Sequence, residues 1–141
     1  MATRMRYLNF RNPNFSAAVR KIGNFEGFSQ QGRYRAIRLM EWLEKEEKTA
    51  QKMWEELIAK YAEKDESGKI KSPDGAPQGS FRIPEQNRAE FEKKGMEWAD
   101  LEIEYNKALP ISRADIEKCG LSPVQELALE GFIEPLSEES L

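Results

Sequence analysis

Hydrophobic positions along the chain fall into blocks with helical spacing, separated by short polar punctuation. Phe15, Ala18, Val19 and Ile22 recur at helical intervals behind Asn12-Pro13, an N-cap followed by proline at the first helical position. Gly23 is a plausible stop, so this block predicts one short helix. A connector from Gly23 to Gly32 follows, with Phe25 and Phe28 expected to tuck onto the core. From Arg33 to Lys64 there is neither Gly nor Pro. Ala36, Met40, Leu43, Glu47, Ala50, Trp54, Leu57 and Tyr61 step alternately by four and three, a heptad seam on a helix roughly 50 Å long at 1.5 Å per residue. Such a seam calls for a second long helix or a partner chain to cover it. Glu47 is where it should break.

The stretch Asp65–Ser80 is rich in Gly, Pro, Ser and Asp, which predicts a loop or weak hairpin with short strands near Lys69–Lys71 and Ser80–Ile83. Pro84 then opens a second long helix with Phe91, Gly95 and Trp98 on one face. Leu101, Ile103 and Tyr105 alternate with Glu102 and Glu104, the period of a strand. Ser112 with Asp115, and Ser122-Pro123 with Gln125, read as the starts of two short helices stopped by Gly120 and Gly131. The expected fold is mainly α: a long helical hairpin, a small antiparallel β element and two short C-terminal helices. The expected organisation is a basic aromatic segment over 1–33 with one short helix, a helical domain over 34–134 with the loop or hairpin at 65–83, and an acidic tail over 135–141.

Charge changes this picture more than composition does. Residues 1–40 hold eight basic groups and one acid, Glu26, a balance of +7 within a chain of net charge −3. Seven of the eight are arginine, interleaved with Tyr7, Phe10, Phe15, Phe25, Phe28 and Tyr34. Arg33, Arg35 and Arg38 stand at a helix start, where the dipole disfavours cations, so an anion is expected close by. That anion is the acidic remainder of this molecule or of a second subunit, the acidic surface of another protein, or a phosphate of nucleic acid or nucleotide. An acidic protein as a whole is a poor non-specific binder of nucleic acid, which makes that the weaker partner class. The candidate binding residues are Arg20, Lys21, Arg33, Tyr34, Arg35 and Arg38. Trp42 joins them because it lies off the seam and would then be an exposed aromatic anchor.

Catalytic chemistry is strongly restricted. The chain has no histidine and one cysteine, which excludes Ser-His-Asp and Cys-His catalysis within it, histidine-bearing metal sites and thiolate zinc sites. The many carboxylates, such as Glu44, Glu47, Glu55, Glu102 and Glu104, read as solvated faces. Asp65–Lys69 lacks the later ligands of a calcium loop. Cys119 reads as a packed small residue. No catalytic residue, cofactor or metal is expected. No apolar run reaches the ~18 residues of a membrane span, and the basic opening has no hydrophobic region behind it, so neither membrane insertion nor a signal peptide is expected.

Several blocks occur in a particular order. Glu56–Asp65 (ELIAKYAEKD) closes the long helix, and Ile83–Lys93 (IPEQNRAEFEK) opens the next after a Gly-containing loop. The strand Leu101–Tyr105 precedes Ile111–Glu134 (ISRADIEKCGLSPVQELALEGFIE). Over Tyr34–Glu134 this order resembles a family of small tailed-phage proteins of unknown function. The first 33 residues fall outside the likeness. The resemblance implies a phage-encoded protein acting in the cytoplasm of a host bacterium, as an accessory or assembly factor that binds another phage or host protein. The alternative it leaves open is an inhibitor of a host enzyme or defence complex using the arginine-rich face, with a nucleotide- or nucleic-acid-binding module behind that. A homo-oligomer is also compatible with the uncovered seam.

Overall fold

The computed structural model describes residues 3–77, 79–105 and 110–134. Along them run β1 (Thr3–Arg6), α1 (Tyr7–Phe10), α2 (Pro13–Asn24), α3 (Gln30–Tyr61), α4 (Glu85–Ala99), β2 (Glu102–Tyr105), α5 (Arg113–Cys119) and α6 (Pro123–Ala128). The protein is mainly helical, with a two-stranded antiparallel sheet and two short C-terminal helices, as the hydrophobic pattern predicts. The expected acidic tail over 135–141 lies outside the described residues. No helix among those described is long and apolar enough to cross a membrane.

The chain divides into two compact units, Met1–Glu46 with Leu101–Leu141, and Glu47–Asp100. The division on α3 falls at Glu47, the acid that interrupts the hydrophobic seam. Each unit has its own aromatic core. In the first, Trp42 lies 5.2–6.4 Å, centroid to centroid, from Phe10, Phe15, Tyr105 and Phe132. Val19, Ile22, Leu39, Leu43, Ile116 and Leu129 are buried in the same unit. In the second, α4 covers the later part of the seam, with Trp54 about 6.0 Å from Phe81, Phe91 and Trp98, and Tyr61 at 6.1 Å from Phe91. Aromatic pairs of this kind add to plain area burial.

The earlier part of the seam is covered inside the first unit. Met40 packs so closely on Gly23 of α2 that a Cβ there would meet its sulfur at 2.5 Å, so Gly23 is a contact residue. It is not the stop the spacing predicts: α2 runs one residue past it, to Asn24.

The sheet pairs β2 with the N-terminal strand. Met5 faces Ile103, and Arg4 and Arg6 stand opposite Glu104 and Glu102, so the cross-strand register alternates apolar with oppositely charged pairs. Among the described residues, the expected strands within 65–83 reduce to a single bridge, Lys64 to Ile70, around an Asx turn in which Asp65 accepts from Ser67 and Lys69. The Gly-, Pro- and Ser-rich sequence supports turns there but supplies no alternating pair of strands.

The N-caps follow the sequence closely, whereas α6 ends at Ala128, short of the expected stop at Gly131. Asn12, Ser112 and Ser122 each accept a backbone N–H through the side chain, and Ser122 with Gln125 completes a capping box. Gly120 closes α5 in the left-handed conformation at φ 69°. Arg113 clamps the C-terminal segment by donating to Glu126 at 3.1 Å and to the Glu134 carbonyl at 2.9 Å.

Candidate partner-binding face

The basic block of the N-terminal third belongs to the first unit, and its members are used in different ways. Ser29 is the residue before α3, and its hydroxyl accepts from the Gly32 N–H at 3.1 Å. Asp115 of α5 reaches the same helix start, accepting from the Ser29 N–H at 2.9 Å and from the Ser29 hydroxyl at 2.7 Å. Ser112 also donates to it, at 3.2 Å, and Lys118 lies 3.6 Å away. Burial pushes the Asp115 carboxyl up, but the bonds from Ser29 and Ser112 and the Lys118 charge outweigh it and hold it below the usual carboxylate range. A Cβ on Gly32 would lie 2.2 Å from an Asp115 oxygen, so this close seating requires glycine there. An anion of the same chain, Asp115, thus stands at the start of α3, bonded to Ser29 and Ser112 and paired with Lys118.

The cations beside it also have partners. Arg33 turns back to donate to the carbonyls of Gly23 and Phe25 at the end of α2. Lys21 donates to the Gly120 carbonyl, at the left-handed cap of α5, at 3.0 Å. Both sit at helix C-termini, where a cation is favoured. Arg35 donates to the Pro110 carbonyl at 3.0 Å. Arg20 is exposed on α2.

Tyr34 and Arg38, one turn apart on α3, are arranged differently. Tyr34 is 58% exposed, and Arg38 lies over its ring at 5.7 Å while donating to its hydroxyl at 3.0 Å. The Arg38 charge reaches Tyr105 beneath. Burial raises the Tyr105 hydroxyl above its ordinary value, Arg38 opposes that, and Tyr34 adds to it. The result is an exposed aromatic ring with a guanidinium fixed against it.

Trp42 takes a different place from the exposed anchor expected of it. It is half-buried among four rings, with its indole N–H enclosed and without a partner among the described residues. The buried face of α3 in this unit includes Ala36, Leu39 and Leu43. A straight helix at 3.6 residues per turn drifts away from a strict heptad, so this face widens to take in Trp42.

Sequence reasoning missed the Ser29–Asp115 contact. Ser29 is the N-cap signal for α3, which begins at Gln30, ahead of the Gly-free and Pro-free stretch that opens at Arg33, and so takes in the last residues of the expected connector. Cys119 is half-buried; burial pushes its thiol up and Lys21 opposes it, as suits a packed small residue. Among the described residues, no group of three His, Cys, Asp or Glu side chains is placed to hold a metal ion.

No family model, no curated protein and no solved structure matches this chain.

Proposed function

We propose that the protein is a non-catalytic accessory factor, phage-encoded as the resemblance implies, which works in the bacterial cytoplasm by binding the acidic surface of another protein. The observation that carries this reading is the exposed Tyr34 ring with Arg38 held over it. Tyrosine and arginine dominate binding hot spots because they combine large contact area with directional polar groups. A guanidinium already positioned on a ring also loses less conformational freedom when it meets a carboxylate. Asp115, the buried carboxylate, serves as a cap in this reading, since its oxygens take the bonds of Ser29 and Ser112.

A protein partner is favoured over nucleic acid because Lys21, Arg33 and Arg35 already donate to backbone carbonyls. The chain as a whole also carries a net charge of −3, which works against the phosphate contacts that dominate nucleic-acid affinity.

The test is affinity capture from host lysate, with and without infection, using the parent and a Tyr34→Ala/Arg38→Glu variant. The parent is expected to retain a protein that the variant loses, while both melt at the same temperature. Affinity should fall as salt rises, because exposed charges are screened beyond about 8 Å at physiological ionic strength. Equal capture by parent and variant, or capture of nucleic acid instead, overturns the reading.

A further inference from the structure

The first unit also carries an open pocket of about 370 Å³, well separated in sequence from Tyr34 and Arg38. Arg4 and Met5 stand on its β1 side, Leu127 and Glu130 on its α6 side, and the buried rings of Phe15 and Phe132 form its floor. Helix α6 is well capped, by the Ser122 box and by Pro123 in its first turn, yet none of its residues is buried. Its two large apolar side chains, Val124 and Leu127, are 55% and 71% exposed. Three positions apart, they share one helix face, and both border the pocket. Apolar side chains clustered beside a cavity mark an interaction surface rather than a stray surface residue.

We propose that this face is the interface between two copies of the chain, related by a two-fold axis. A two-fold contact uses the same patch twice, so whatever the patch presents it must also be able to receive. This patch presents outward Val124 and Leu127, and it contains a cavity beside them in which Phe15 and Phe132 are joined by the polar Asn9 and Asn12. Its charges divide in the same way, with the cation Arg4 on the β1 side and the anion Glu130 on the α6 side. Turning a second copy about an axis through the patch sets its β1 side over the α6 side of the first. Leu127 of each copy then enters the cavity of the other, and Arg4 of each meets Glu130 of the other. Within one chain Arg4 is held only loosely, 3.9 Å from Glu104. A foreign partner would need its own matching knob, cation and anion. A second copy brings all of them by symmetry.

Sedimentation equilibrium over a concentration series tests this with the full chain. The parent is expected to show a monomer–dimer equilibrium, and Leu127→Asp to sediment as a monomer whose melting matches that of the dilute parent. Arg4→Glu and Glu130→Arg should each weaken association about tenfold, since each puts like charges at both ends of a symmetric contact. The Arg4→Glu/Glu130→Arg double variant should recover it, because the reversed pairs attract again. A parent that is monomeric at every concentration overturns the proposal. So does a dimer indifferent to Leu127→Asp, or a double variant no better than the singles. No residue of this contact belongs to the Tyr34–Arg38 face, so the two readings fail independently.

Discussion

Replacing Asp115 with Ala is expected to lower stability at neutral pH by roughly 2–4 kcal/mol, far more than an ordinary acid-to-alanine change. The substitution removes a buried acceptor from the Ser29 N–H and the Ser29 hydroxyl. It also takes a negative charge from the start of α3, where the dipole favours one. The pH dependence follows from the depressed carboxyl. A group whose folded value lies below its unfolded one contributes stability that is complete above the unfolded value, about 3.9, and is lost as pH falls through the folded value. Asp115→Asn should therefore be less stable than the parent at pH 7, and the gap should close as the pH falls below about 4. Urea titrations of both proteins at neutral and acid pH measure it. A gap of constant size across that window would mean that the Asp115 charge does not act at the helix start.

Trp42→Ala should be at least as damaging, at about 3–5 kcal/mol, the usual cost of deleting a large aromatic from a packed core. Trp42 touches Phe10, Phe15, Tyr105 and Phe132, which come from α1, α2, β2 and the segment after α6. Its removal opens a void that none of them can fill without moving the others. The measurement is the urea midpoint, with tryptophan fluorescence of the remaining Trp54 and Trp98 read alongside. Loss of partner capture with unchanged stability would instead make Trp42 a binding anchor.

Local signals in the sequence carried far. Asn12-Pro13, Ser112 and Ser122-Pro123 place their helix starts correctly because a cap is decided by residues within one turn. The alternation of Leu101–Tyr105 reveals β2 for the same reason. β1 stays hidden: Thr3–Arg6 is four residues long, carries one large apolar side chain, and gains its strand character from a partner about a hundred positions away. The Ser29–Asp115 pairing is hidden differently. Asp115 sits three residues after Ser112 and reads as a local box partner, while a carboxylate has acceptor sites enough to serve a second helix as well.

The charge block behaves likewise. That eight cations crowd into forty residues is plain from the sequence, but which of them are used internally depends on where backbone carbonyls end up. Gly23, Phe25, Pro110 and Gly120 present those carbonyls only in the folded chain. Tyr34 and Arg38 stand out from the block only once the bonds of Lys21, Arg33 and Arg35 are known.

The fold divides the basic block into cations that donate to backbone carbonyls and an exposed Tyr34–Arg38 pair, which we propose meets a partner. Charge reversal at Arg33 and at Arg38, with melting and partner capture measured on each variant, tests this division most directly. Arg33→Glu is expected to melt well below the parent, since it sets an anion against the carbonyl end of α2. At temperatures where it remains folded, it should still capture the partner. Arg38→Glu is expected to melt with the parent and lose the partner. The opposite pattern, with Arg33→Glu folded but unable to bind and Arg38→Glu unstable but binding, would make Arg38 the structural cation and Arg33 the contact.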